Sequence, residues 1–285
     1  MSYELPDLDE SEELEEIALK EDVDTAYAKS HCGMITASKV STIANYQPNS
    51  DVMHDLALEI AELRAKIDES KTGKTKTLNA LLEWKTNQYN RMFNDELPGG
   101  AVKWCEKLAC MRMTGFCEES DISFDSKETR WGKLNEPKAI AKLIERFPEF
   151  IFLNVLGNQR FIKLNDFEYV GATPDAVIST NGIGYTTVLD VKCPFNREIH
   201  LLNYGQIQNY AQFKRDYPMY YWQGVLQMMC AKVDKFMFAS YDYRFESTGQ
   251  DLFVYEFDLI QEDADFLLSR ITKAERLINE IITSR

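Results

Sequence analysis

VLDVKCPF, Val188 to Phe195, is the stretch whose reading decides the fold. It forms a strongly apolar strand, and strand side chains alternate, so Val188, Asp190 and Lys192 share one face while Leu189 and Val191 share the other. A buried charge is costly unless something compensates it. Asp190 and Lys192 therefore either neutralise one another or hold something that the chain itself does not supply.

GATPDAVI lies upstream, with Pro174 ending one strand and Asp175 opening the next. A turn at Gly182 to Gly184 makes Asp175 to Ser179 and Thr186 to Lys192 a hairpin, which brings Asp175 beside Asp190. Two carboxylates forced together repel, and one takes up a proton unless a cation sits between them. Magnesium suits such a pair, because it is commonly held by one or two carboxylates plus phosphate oxygens. Lys192 would then orient or deprotonate the attacking water and offset charge in the transition state. A helix spanning Gly132 to Phe147 places Glu136, Ile140, Leu143 and Phe147 on one stripe. Glu136 thus faces inward and adds a ligand or completes a second metal position. The structural alternative is a local Asp190–Lys192 ion pair, with Glu136 capping a neighbouring amide. The tripeptide alone is weak, since Glu69-x-Lys71, Glu83-x-Lys85, Asp125-x-Lys127 and Glu136-x-Lys138 repeat it outside any apolar strand.

The surrounding pattern alternates helices and strands. Val40 and Ile43 lie on a short helix capped by Thr36 or Ser38. Val52 to Ile67 and Leu78 to Phe93 keep helical spacing. Strands are expected at Ile151 to Leu156, Gln159 to Leu164 and Tyr169 to Ala172, forming with the hairpin a mostly antiparallel meander. Helices at Ile199 to Arg215 and Met219 to Ala231, strands at Phe236 to Tyr243 and Phe253 to Leu259, and a helix at Glu262 to Ile282 complete a mixed α/β (α+β) domain around a central sheet. Trp131, Tyr221 and Trp222 read as core aromatics rather than base-stacking wedges. SKTGKTKT resembles a phosphate loop only superficially, because Asp68 stands where the first glycine is needed and no strand precedes it. It reads as a basic turn, with Lys66, Lys71, Lys74, Lys76, Lys85 and Arg91 available to phosphates.

Hydrophobic residues make up 45% of the 285 and aromatics 12%, enough to build a substantial core. No run approaches the roughly 18 apolar residues of a membrane helix. The acidic N-terminus is neither a signal nor a transit peptide, so a cytoplasmic protein is expected. The six cysteines lack CxxC spacing and read as reduced core thiols, not as zinc, iron–sulfur or disulfide ligands. A net charge of −14 argues against a nucleic-acid partner, until its distribution is considered. Residues 1–24 hold eleven acidic residues and one lysine, leaving −4 for residues 25–285. The acid is a solvated tail, or a screen over a basic groove.

Glu136 in RWGKLNEPKA, Asp175 in GATPDAVI, and Asp190 with Lys192 in LDVKCPF resemble the PD-(D/E)xK nuclease core, and more narrowly the phage lambda exonuclease or YqaJ-type viral recombinase family. GMITASKV resembles that family's N-terminal segment. YYWQGVLQMM and FASYDYRF resemble its glutamine helix and following strand. The resemblance covers residues 31–46 and 130–284. It implies a magnesium-dependent exonuclease, with manganese able to substitute and two ions per site. Such an enzyme degrades the 5′ strand of linear duplex DNA to mononucleotides, leaving a 3′ overhang for a single-strand annealing protein. The resemblance also implies a homotrimer and, for a phage-encoded protein, the bacterial cytoplasm. Carried over, Asp175, Asp190 and the Val191 carbonyl bind metal with Glu136 assisting, Lys192 serves the water, and Gln223 lines the site. Ser38 and Thr173 hold the 5′-phosphate, with His31 in place of a family arginine and Arg197 as a second cation. Val225 stands at a second family glutamine and Tyr243 at a family proline. Residues 1–24 are then a tail, and residues 25–285 one nuclease domain with a helical insertion at 47–128. Two other readings remain open: a structure-specific or endonucleolytic enzyme on the same core, and a non-catalytic DNA-binding module.

Overall fold

The computed structural model describes residues 31–45, 50–69, 75–117, 126–155 and 157–284. The acidic residues 1–24, and Lys71 and Lys74 of the basic turn, lie outside them. In chain order the elements are β1 (Ile35–Thr36), α1 (Ser41–Ala44), α2 (Ser50–Glu69), α3 (Lys76–Phe93), α4 (Gly99–Thr114) and α5 (Lys127–Arg146). Strands β2 (Ile151–Leu153), β3 (Ile162–Lys163), β4 (Val170–Ala172), β5 (Ala176–Ser179) and β6 (Thr187–Lys192) follow. The chain ends with α6 (Tyr210–Asp216), α7 (Pro218–Ala231), β7 (Lys235–Tyr241), β8 (Leu252–Asp258) and α8 (Gln261–Thr283).

The strands form two sheets instead of one meander. A five-stranded sheet runs β2-β5-β6-β7-β8, and a small one runs β1-β4-β3. In the larger sheet β5 and β6 are the expected antiparallel hairpin, with Val177 opposite Val188. β7 lies parallel to β6, placing Ser240 opposite Lys192. A parallel partner requires a crossover, which α6 and α7 supply. Neither Gln159 nor Arg160 joins a strand, and β2 pairs with β5 across the sheet instead of turning back at Gly157.

Alternation along β6 separates two cores. Val188 faces a large core that includes Phe213, Trp222, Leu226, Phe236 and Leu267. Leu189 and Val191 face a second core, closed by Ala139, Ile140 and Leu143 of α5. Ser126 starts α5 by accepting the Thr129 amide, so the helix begins five residues earlier than its apolar stripe indicates. Gly224 lets α7 approach β7 closely: a Cβ there would lie 2.6 Å from the Phe236 ring.

Three local expectations are corrected. Thr36 and Ser38 cap no helix, because Thr36 pairs with Gly171 in the small sheet and α1 starts after Val40 without a side-chain cap. The segment from Ile199 to Arg215 is a π-turn (Ile199–Asn203), a 3₁₀ turn (Tyr204–Gln206) and the short α6, which Asn209 caps by accepting the Gln212 amide. Cys32 and Cys117 form a disulfide across 85 positions, so only four of the six cysteines are free thiols. Their spacing is far from any local motif, and only folding brings the ends of the α4 segment and the β1 segment together.

The helices α2, α3 and α4 do not pack alike. α2 and α3 pack on each other through Leu56, Ile60 and Met92. α4, which the sequence reading did not resolve, sends Ala101, Cys105, Leu108 and Ala109 into the main core. Arg112 of α4 forks onto Glu275 of α8 at 2.8 and 2.6 Å and also donates to the Gly33 carbonyl at 2.8 Å. Only 4% of the Arg112 side chain is exposed, so Glu275→Ala leaves a buried guanidinium without its counter-charge. It is expected to cost about 3 kcal/mol, read as a lower urea midpoint at unchanged slope. A loss below about 0.5 kcal/mol, the scale of a surface pair, would contradict this assignment.

Candidate active site

The central strands bring Asp175, Asp190 and Lys192 to one end of the larger sheet. The Asp175 amide donates to the Leu189 carbonyl at 3.0 Å, extending the β5–β6 pairing by one step. The Val191 amide donates back to Asp175 Oδ2 at 2.6 Å. This reciprocal pair fixes the Asp175 carboxylate against the backbone that carries Asp190.

Asp190 is 1% exposed. Its Oδ1 accepts from Gln223 Nε2 at 2.5 Å and from Gln227 Nε2 at 3.3 Å. Its Oδ2 is held by the Lys192 ammonium, in an ion pair. The local pair of the structural reading is therefore present, but it does not exhaust the site. Burial first, and then the Asp190 charge, push the Asp175 carboxyl up to about 8, against the opposing pull of Lys192 and the Val191 amide. A second acid thus stands close enough to be held protonated at neutral pH, the frustration expected of an adjacent pair without a cation. Burial pulls the Lys192 ammonium down, but Asp190 and then Asp175 outweigh it and hold the lysine above its ordinary value.

Glu136 reaches the same end of the sheet from the opposite layer. Its carboxyl is raised by burial, eased by Lys192 and raised again by Asp190. It accepts from Gln159 Nε2 at 3.2 Å. Among the described residues no three His, Cys, Asp or Glu side chains converge to hold one ion. The oxygen donors at this end of the sheet are thus Asp175 and Asp190, with Glu136 within reach of their charge. That set fits magnesium, which keeps several waters and needs few protein oxygens, and the mutual repulsion of Asp175 and Asp190 is what such an ion would relieve. When bound, such an ion supplies charge stabilisation at a phosphoryl oxygen and a more acidic water.

Of the residues expected at the 5′-phosphate, His31 and Thr173 meet. His31 Nε2 lies 3.4 Å from Thr173 Oγ1, and the ring packs edge-on to Phe161. Parallel pairing of Thr36 with Gly171 sends Ser38 and Thr173 out of the small sheet at the same end. Ser38 Oγ is 3.3 Å from Thr36 Oγ1. Arg197 is exposed on the segment after β6 and is not drawn into this group. Of the cations on the helical hairpin, Lys66 and Lys85 pair with Glu62 and Glu59, and Arg91 donates to the Leu97 carbonyl.

Two site residues escaped the sequence reading. Gln227 is fully buried one helical turn beyond Gln223, and its Oε1 has no partner. The spacing of four was a usable signal, since i and i+4 share a helix face; Val225 between them points into the core. Tyr220 places its ring 5.2 Å beneath the Lys192 ammonium and receives the Tyr204 hydroxyl at 3.3 Å. Nothing in the sequence distinguished it from its tyrosine neighbours.

A mixed five-stranded sheet with an acid pair and a lysine at one end, covered by helices on both faces, is the restriction-endonuclease-like PD-(D/E)xK fold. Two solved structures share it. One is "LHK-Exo in complex with dAMP", 18% identical over 91% of this chain and 93% of that one, TM-score 0.55. The other is described as an alkaline exonuclease, LHK-Exo, from Laribacter hongkongensis, 18% identical over 90% and 94%, TM-score 0.54. Residues 26–234 match the YqaJ-like viral recombinase domain, and the chain belongs to that family. No curated protein matches it.

Proposed function

We propose that this protein is a magnesium-dependent exonuclease that degrades the 5′ strand of linear duplex DNA to mononucleotides, leaving 3′ single strands for an annealing partner. The observation that carries the reading is the buried Asp190, ion-paired to Lys192 and set beside Asp175, whose carboxylate is tied to the same strand. A carboxyl held up to about 8 beside a second acid is the arrangement that a bound cation relieves. Family membership supports the same reading, as do two neighbours of this fold, one described as an alkaline exonuclease and one solved with dAMP. Manganese is the expected substitute ion, two ions per site the expected stoichiometry, and a trimer in the bacterial cytoplasm the expected form. None of the described helices is long and apolar enough to cross a membrane.

In this reading Asp175 and Asp190 hold the cation, Gln223 and Gln227 fix which Asp190 oxygen faces it, and Lys192 holds the attacking water. Thr173 and Ser38, with His31 behind Thr173, receive the terminal phosphate. The test incubates protein and magnesium with 5′-phosphorylated linear duplex, beside the same DNA as a closed circle and a Lys192→Ala control. Mononucleotides from the 5′ strand of linear DNA alone, absent with Lys192→Ala, are expected. A cut circle indicates an endonuclease, and no hydrolysis of either substrate indicates a DNA-binding module.

The two glutamines are expected to differ. Gln223→Leu removes the shorter bond to Asp190 and should lower kcat about a hundredfold, the scale of losing one preorganised donor. Gln227→Leu also removes an orphaned buried oxygen, so it should lower kcat about tenfold or less and leave thermal stability unchanged or higher. Equal losses in kcat would show that the shorter bond does not dominate.

A further inference from the structure

The structure places Trp131 outside the core to which its sequence assigned it. Tyr221 and Trp222 are buried, as expected. Trp131 instead joins Phe195 and Tyr243, which keep 38% and 41% of their surface exposed. Trp131 meets Phe195 edge-on, with centroids 5.8 Å apart, and stacks on Tyr243 at 5.6 Å. Its indole N–H is buried without an acceptor, so rings and a cation, not a hydrogen bond, set its orientation. That cation is Arg244, 4.3 Å from the indole. Buried Asp242 grips the guanidinium at 2.7 Å through each carboxylate oxygen, and Arg244 Nη2 also donates to the Phe195 carbonyl at 2.9 Å. The cluster is therefore built and rigid, yet open to solvent.

Its position is set by the sheet. β6 and β7 are parallel and end together, with Phe195 three residues beyond Lys192 and Tyr243 two beyond the end of β7. Three residues span at most about 10 Å, or about three base steps at ~3.4 Å each. Lys138 Nζ lies 4.9 Å from the Tyr243 ring centre and adds positive charge beside the rings. Partly exposed aromatic rings with a lysine, next to a site for phosphodiester chemistry, match an unpaired base and its phosphate.

We propose that Phe195 and Tyr243, braced by Trp131 and Arg244, form a stacking platform for an unpaired nucleobase of the strand being cut. The inference rests on the nuclease reading for the identity of its ligand. Stacking of this kind is tolerant of sequence, because every base has a π-face, and a single contact is worth about tenfold or more in affinity.

The test uses the full chain with oligonucleotide duplexes carrying 2-aminopurine at the 5′ terminus, in EDTA for binding and in magnesium for kinetics. The wild type is expected to change the 2-aminopurine emission. Phe195→Leu combined with Tyr243→Leu keeps apolar bulk but removes both rings; it should lose that change and raise KM about tenfold, with kcat moving far less. Replacing the terminal bases by abasic residues should raise the wild-type KM similarly and leave the leucine variant where it is. Tyr243→Phe, which keeps the ring, should behave as wild type and guards against a trivial folding defect. Wild-type emission and KM in the leucine variant would overturn the platform, as would equal sensitivity of both proteins to abasic ends. If the wild type binds and changes emission but hydrolyses nothing, the nuclease reading fails while the platform stands.

Discussion

Replacing Asp190 with asparagine is expected to lower hydrolysis of linear DNA by at least about a thousandfold while DNA still binds. The amide is nearly isosteric, so Gln223 and Gln227 can rearrange around it. What it cannot do is offer an anionic oxygen at Oδ2, the atom that now faces the Lys192 ammonium. The substitution also strips Lys192 of its ion-pair partner, so the group handling the water loses its orientation together with the cation site. Loss of one electrostatic element in a catalytic site typically costs about 10²–10³ in rate, and here two fail together. The check is single-turnover kinetics at saturating magnesium, beside a filter-binding titration in EDTA. Residual activity within tenfold of wild type would remove Asp190 from the chemistry and leave it as the partner of a structural ion pair. Tight DNA binding lost along with activity would instead mark the substitution as a folding lesion.

Magnesium is expected to stabilise the protein more at pH 8.5 than at pH 6. The Asp175 carboxyl is raised from the ordinary range to about 8, by burial and then by Asp190. Between the unfolded and folded values, the folded chain keeps a proton that the unfolded chain has released. Stability of the metal-free protein therefore falls as pH rises through this window, by at most about 1.4 kcal/mol per pH unit, and levels off above it. Below the unfolded value both forms are protonated and the penalty vanishes. A divalent ion between the carboxylates removes the repulsion that raises Asp175, so it should flatten the decline. Thermal midpoints at several pH values, with magnesium and with EDTA, read this directly. A metal-free midpoint that rises from pH 6 to 8.5 would reverse the assigned sign. A magnesium shift independent of pH would place the ion away from Asp175.

The acid pair was legible in the chain because β-structure has a period of two. Once VLDVKCPF is a strand, Asp190 and Lys192 must share a face, and a hairpin returning to Pro174 must bring Asp175 alongside. The same local rules located the apolar stripe of α5 and with it Glu136, and the helical spacing of α2, α3, α7 and α8. Gln227 was legible in principle, lying four residues from Gln223, but only contact with Asp190 distinguishes it from other buried amides. Strand order and direction were not local: the parallel pairing of β6 with β7 depends on how α6 and α7 cross over and on Gly224 admitting Phe236. The Cys32–Cys117 pairing likewise waits on α4 docking against α8, a contact between segments far apart in the chain.

Backbone periodicity alone put Asp190 and Lys192 on one strand face and Glu136 on one helix stripe, because side-chain direction follows from it. Only the tertiary structure decided the electrostatic state of those residues and the exposure of the aromatic platform. Burial and the approach of like charges depend on how elements pack, and packing joins residues that no local period relates.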